Sequence, residues 1–133
     1  MIALFIADFH THSKYARATS KECVPEYLEK WALKKGIGLI GTGDFTHSAW
    51  REELKKKLVP AEEGFYRLKD EYRLDNQVAG IKKNPRFIVS GEISSIYKKN
   101  GKVRKVHSLI MLPGIEEAAK ISRRLEGYLK AIG

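Results

Sequence analysis

A single cysteine, Cys23, stands in this chain of 133 residues, so no intramolecular disulfide can form. That excludes the disulfide-built scaffolds of small secreted domains, and an intracellular, cytoplasmic location is expected. Cys23 also lacks a cysteine partner for a zinc ribbon, and it reads as a small residue near a helix start. Long apolar runs are missing too. Residues 1–9 carry neither a basic lead-in nor a small-residue cleavage site. They are too few for a signal peptide or a membrane span, so no membrane partner is expected. The chain has no internal repeat, low-complexity segment or interdomain linker. Acidic residues are outnumbered, 16 against 25 Lys and Arg, for a formal charge of +9. Such an excess favours polyanionic partners, although a merely soluble basic surface has the same composition.

What is present is ordinary globular material. Hydrophobic residues make up 43%, enough in a chain of this length for one domain with a real core. Residues 2–7 form a short continuous apolar run, as expected of a strand buried on both faces. Pro25 suits a first helical turn, Tyr27, Leu28, Trp31 and Ala32 make an apolar stripe at helical spacing, and Gly36 reads as the stop. Residues 37–40 read as a second buried strand. Ser48 is a candidate cap for a helix with Trp50, Leu54 and Leu58 on one face and lysines on the other. The alternation β-α-β-α argues for an α/β fold with parallel strands. Residues 60–85 read as a loop with at most one weak hairpin or short helix. Residues 87–89 form a third strand ending at Gly91 and Glu92. Residues 93–97 and 103–111 flank Asn100-Gly101, a signal for a tight hairpin. Residues 115–129 show helical spacing through Ala118, Ile121, Leu125 and Leu129.

The sharpest local signal is Asp8-Phe9-His10-Thr11-His12. On a strand, residues two apart point the same way, so His10 and His12 would offer two imidazoles to one metal ion. They follow a buried strand and would lie at its C-terminal end, where α/β barrels build their sites. Two unconnected surface histidines are the competing reading. Asp44, after Gly41-Thr42-Gly43, and Glu92, after Ser90-Gly91, would place carboxylates on the same rim. Imidazole and carboxylate are the ligands of hydrolytic zinc, manganese and iron sites, and a carboxylate can bridge two ions. A helix cap at Asp44 and a salt bridge at Glu92 are the alternatives. His107 heads an apolar run instead of ending one; antiparallel pairing across the hairpin would bring it near Glu92. His47 reads as a loop or outer residue. Gly41-Thr42-Gly43 lacks the full dinucleotide or Walker pattern, and its glycines suit sharp bending near the metals.

Several cations could serve phosphate. Lys14, Arg17 and Lys21 follow the His-x-His segment, with Arg17 suited to bidentate contact. Lys55-Lys56-Lys57 has the form of a solvated face. Lys98, Lys99, Lys102, Arg104 and Lys105 lie on the hairpin near Glu92 and His107, and are the better candidates for contact with DNA. Tyr15 and Tyr97 could stack on bases, with packing as the ordinary alternative.

Asp8-Phe9-His10-Thr11-His12-Ser13 resembles the first motif of the PHP phosphoesterases. Thr19-Ser20-Lys21, Gly41-Thr42-Gly43-Asp44, Glu92 and Val106-His107 are similar to the endonuclease Q subfamily. The resemblance implies the N-terminal part of a distorted (β/α)7 PHP barrel, with a hairpin excursion from its parallel strands and metals at its C-terminal rim. It implies one ion, zinc or manganese, on His10 and His12, with Glu92 bridging to a second held partly by His107. Asp44 would be a further ligand, or would orient the nucleophile, with Arg17 or Lys21 neutralising the phosphate. The implied activity is metal-dependent nicking of DNA beside deaminated bases in repair. A histidinol phosphatase-like enzyme and a non-catalytic DNA-binding remnant are the alternatives. Two departures stand out: Arg17 and Ala18 occupy the neighbourhood of a third-metal ligand, and the family's downstream Asp-x-His motif is absent. Residues 1–133 are therefore expected to form a single, incomplete PHP domain of reduced or no activity.

Overall fold

Strand and helix alternate through the first half of the chain in the computed structural model, which describes residues 4–74 and 84–132. β1 (Ile6–Asp8) leads through a long loop to α1 (Pro25–Lys35), β2 (Ile37–Gly41) and α2 (Ser48–Lys57). Pro25 sits in the first turn of α1, where its missing N–H removes no hydrogen bond. Gly36, at φ 72°, ends the helix by donating its N–H to the Ala32 and Leu33 carbonyls. The residue preceding α2 is His47, and Ser48 is already helical, so Ser48 is not the cap. α2 stops at Lys57, and Leu58 leaves its expected helical face to open β3 (Leu58–Pro60). Pro60 biases Val59, the residue before it, toward extended backbone, and Leu58 is already extended at φ −103° and ψ 151°.

The described part of residues 60–85 is more structured than the expected loop with at most one weak hairpin or short helix, since it holds both a strand pairing and a helical turn. β4 (Tyr66–Leu68) pairs antiparallel with β3, and a single 3-10 turn follows at Asp70–Tyr72. Residues 75–83 lie outside the described residues. The third strand is much longer than residues 87–89. β5 (Arg86–Lys99) runs unbroken through Gly91 and Glu92. β6 (Lys102–Leu112) pairs with it from Val89↔Leu112 to Lys99↔Lys102. Asn100 and Gly101 close the hairpin with φ values of 53° and 74°, the double positive φ of a type I′ turn.

The sheet order is β1-β2-β5-β4-β3, with β6 on β5. β1, β2 and the first residues of β5 are parallel, whereas β3, β4 and β6 join antiparallel. The described residues thus form a mixed α/β structure of six strands and three α-helices, the third being α3 (Ile115–Ile132). Among the described residues the strands form an open path instead of a closed barrel. Phe45, Trp50, Leu54, Leu68, Phe87 and Val89 are fully buried and join Ala32, Ile40, Leu58, Leu112, Ile115 and Ala118 in one core. Truncating any of the buried leucines to Ala would cost about 2–5 kcal/mol.

One expectation about burial fails. Leu4, Phe5 and Ile6 are 93%, 70% and 62% exposed, so the first strand is not buried on both faces. Among the described residues β1 is the terminal strand of the sheet order, with β2 as its neighbour. No described helix is long and apolar enough to cross a membrane.

Candidate metal centre

β1 ends at Asp8, so His10 and His12 lie in the loop that follows and not on the strand itself. Strand alternation therefore does not bring them together; loop geometry does. The Asp8 carboxylate accepts the His10 backbone N–H at 3.2 Å. The Thr11 hydroxyl donates to the Gly41 carbonyl at the end of β2. The two imidazoles come to rest with ring centroids 5.5 Å apart.

The glycines make this approach possible. Gly43, at φ 68°, passes so close to the His10–His12 loop that a Cβ there would collide with the Thr11 carbonyl and lie 3.1 Å from His12 Cα. A Cβ on Gly41 would meet Ser90 Oγ at 2.6 Å and the Phe9 carbonyl at 2.7 Å. Three chain segments thus converge where only glycine leaves room. The Gly43 N–H donates to Ser90 Oγ at 3.0 Å, and Trp50 Nε1 donates to the Gly43 carbonyl at 3.0 Å, pinning the loop from β2 to α2 against both β5 and α2.

Glu92 is the hub. His10 Nε2 donates to its Oε2 at 2.7 Å, and His12 Nε2 lies 3.5 Å from the same oxygen. His107 Nδ1 donates to the other oxygen, Oε1, at 2.5 Å. The hydrogen bond with His10, then that with His107, holds the Glu92 carboxyl below its ordinary value. Glu92 is not at a strand end; it lies in β5 where the strand leaves the sheet and keeps β6 as its partner. His107 arrives by the antiparallel route, opposite Ser94 and two residues along from Leu109, which faces Glu92.

Asp44 takes a different place. Its Oδ1 is 3.3 Å from His12 Nδ1, and its Oδ2 accepts both the backbone N–H and the hydroxyl of Ser13 at 2.6 Å. Its own backbone is left-handed, at φ 48°. Asp44 therefore braces the far side of the His12 ring, whose Nε2 is turned to Glu92. Such a carboxylate contact fixes the tautomer and orientation of a ligating histidine. Ser13, fully buried, is the residue that reading the sequence for ligands passes over; its signal was its place directly after His12.

His10, His12 and Glu92 each present a donor atom, all within 4.8 Å of one another. Ligands about 2.1 Å from a common ion lie up to about 4 Å apart, so slight side-chain rotation would seat one. The nitrogen and oxygen donors suit zinc or manganese.

The basic residues divide. Lys14 is drawn to Glu53 at 2.8 Å, and that hydrogen bond raises its pKa. Lys57 binds Glu26 and Glu53, and Lys55 lies near Glu52 and Glu116, so most of that run is engaged in ion pairs. Arg17 and Lys21 are exposed in the loop before α1 and make no ion pair among the described residues. They do not touch the histidine–carboxylate cluster. Tyr15 packs on His47, ring centroids 4.3 Å apart and nearly parallel, which places His47 outside the cluster.

No family model matches the chain. It is 30% identical over 125 residues to an uncharacterised protein of Methanocaldococcus jannaschii, covering 94% of this chain and 12% of that protein. Its fold is similar to the crystal structure of a lesion-specific endonuclease Q from Pyrococcus furiosus, with a TM-score of 0.67 and 25% identity. A second similar structure is an endonuclease Q bound to a 27-mer duplex substrate with an abasic lesion at the active site, with a TM-score of 0.68 and 23% identity. Each likeness covers 93% of this chain and 26% of the solved one. The chain thus spans about a quarter of the solved nucleases and a far smaller part of the curated relative.

Proposed function

We propose that this chain forms the metal-binding part of a PHP-type DNA endonuclease of the endonuclease Q kind, nicking beside deaminated bases. The observation that carries the reading is the convergence of three imidazoles, from two distant segments, on the single carboxylate of Glu92. The fold likeness to a lesion-specific endonuclease supports it. The duplex substrate of the second similar structure supports DNA as the partner.

His10, His12 and Glu92 Oε2 would hold one divalent ion; Glu92 Oε1 and His107 would hold a second. Ions bound there would supply Lewis acidity toward a phosphodiester and acidify an attacking water. Asp44 keeps His12 presenting Nε2, and the Ser13 N–H and hydroxyl keep Asp44 in place. Arg17 and Lys21, exposed near the site loop, would neutralise substrate phosphate.

The test is incubation of the chain with a uracil-containing duplex and manganese or zinc, beside a chelator control and the His10→Ala variant. A metal-dependent nick 5′ to the uracil, slow for a chain that spans a quarter of the similar nucleases and lost in His10→Ala, is expected. Undiminished nicking in His10→Ala or in chelator would overturn the assignment.

A further inference from the structure

Beyond Ile93, the β5–β6 hairpin leaves the body of the molecule. Residues 94–99 and 102–109 are exposed on both strands, giving a ribbon about 20 Å long at ~3.4 Å per residue. A two-stranded ribbon without a covering layer is only marginally stable, so its length calls for a partner. Its charge says which kind. Residues 93–114 contain no Asp or Glu but include Lys98, Lys99, Lys102, Arg104 and Lys105. None of the five is ion-paired among the described residues, in contrast to Lys14, Lys55 and Lys57.

The register sorts these cations by face. Pairing Ser94↔His107, Ile96↔Lys105 and Lys98↔Val103 puts Lys98 and Lys105 on the face that bears Glu92 and His107. Lys99, Lys102 and Arg104 lie on the opposite face, with Ile93 and Ile110, which pack against the core. Lys105 is one same-face step from His107. The site-side face also shows Ile96, 68% exposed, and Val103, apolar surface suited to sugars and base edges between the two lysines. B-DNA's major groove, about 12 Å wide, admits a two-stranded ribbon.

We infer that the β5–β6 arm is a duplex-binding ribbon whose site-side face, through Lys98 and Lys105, holds the phosphate backbone leading to His107 and Glu92. This rests on the nuclease reading for the identity of the partner.

The experiment compares two charge-matched variants, Lys98→Gln/Lys105→Gln and Lys99→Gln/Lys102→Gln. Binding of the chain to a fluorescent duplex is followed by anisotropy across a salt series, in chelator so that cleavage plays no part. Each phosphate contact contributes about 0.9 to the slope of log K against log salt. The site-side variant should therefore lose about 1.8 of slope while the opposite-face variant stays near wild type. Equal losses in the two variants would overturn the face assignment. Wild-type slopes in both, or binding to anionic lipid vesicles with none to the duplex, would overturn the arm. Duplex binding through the site-side face, with no zinc or manganese bound at His10, His12 and Glu92, would leave the arm standing and remove the nuclease reading. Matching melting temperatures of the two variants establish that both are folded.

Discussion

Replacing Gly43 with Ala perturbs the metal centre without touching a ligand. Two costs follow from the structure. The residue sits at φ 68°, where a Cβ costs about 1–2 kcal/mol. The new methyl would also run into the Thr11 carbonyl and approach His12 Cα to 3.1 Å, an overpacking of about 1–3 kcal/mol. Gly36 provides the control. It has a similar φ of 72° but nothing within 4 Å of a Cβ, so Gly36→Ala bears the backbone cost alone. For a domain of this size about 1 kcal/mol moves Tm by roughly 4 °C. Gly36→Ala should then lower Tm by about 4–8 °C, and Gly43→Ala by about 8–20 °C. The displaced Thr11–His12 segment should weaken zinc or manganese binding by about 10–100-fold, as loss of supporting contacts does at metal sites. Gly36→Ala should bind metal as wild type does. Thermal melts and metal titration of both variants decide the matter. Equal Tm losses with unchanged metal affinity in Gly43→Ala would refute the claim that glycine is needed for the convergence.

Ser13→Ala removes one of the two Ser13 bonds to Asp44, and calorimetric titration should show metal affinity reduced by about tenfold. Arg73→Met strands Glu29, 1% exposed and bound to Arg73 Nε at 2.7 Å; urea denaturation should show a loss of about 3–5 kcal/mol, largely restored in Glu29→Gln/Arg73→Met. Glu92 has a folded pKa below its ordinary 4.5, chiefly through His10. Its contribution to stability in the metal-free chain is present above that ordinary value and lost as pH falls through the lowered one, so melting curves of Glu92→Gln should fall less steeply with acid than wild type. Saturating metal, at about 100 times its Kd, should stabilise the chain by about 2.7 kcal/mol, and chelator should reverse the gain.

Much of the architecture was legible because local signals and tertiary structure agree. Pro25 and Gly36 bracket α1, and Asn100-Gly101 closes the hairpin with both φ values positive. That hairpin also carried the His107 inference, since antiparallel register alone brings His107 to Glu92. Other features depend on non-local packing. The length of β5 was hidden because Gly91 reads as a terminator, yet it pairs with Ile110 inside the ladder. The apolar run ending in β1 suggested burial on both faces, but a strand's burial depends on its neighbours, and among the described residues β1 pairs with β2 alone. The histidines illustrate the same division. Their identity as a pair was visible, whereas the mechanism that aligns them, a loop held against Gly41 and Gly43, required the fold. Asp44 carries the further lesson that a carboxylate near a histidine can brace the ring: it meets His12 Nδ1 and Ser13 and stands outside the three-donor cluster.

Metal binding by His10, His12, Glu92 and His107 underlies all of the proposed chemistry. Calorimetric titration of the metal-free chain with zinc or manganese tests it most directly, in wild type and in His12→Ala and Glu92→Gln. Saturable binding of two ions is expected, weakened at least tenfold in each variant. Absence of saturable binding, or wild-type affinity in both variants, would contradict it.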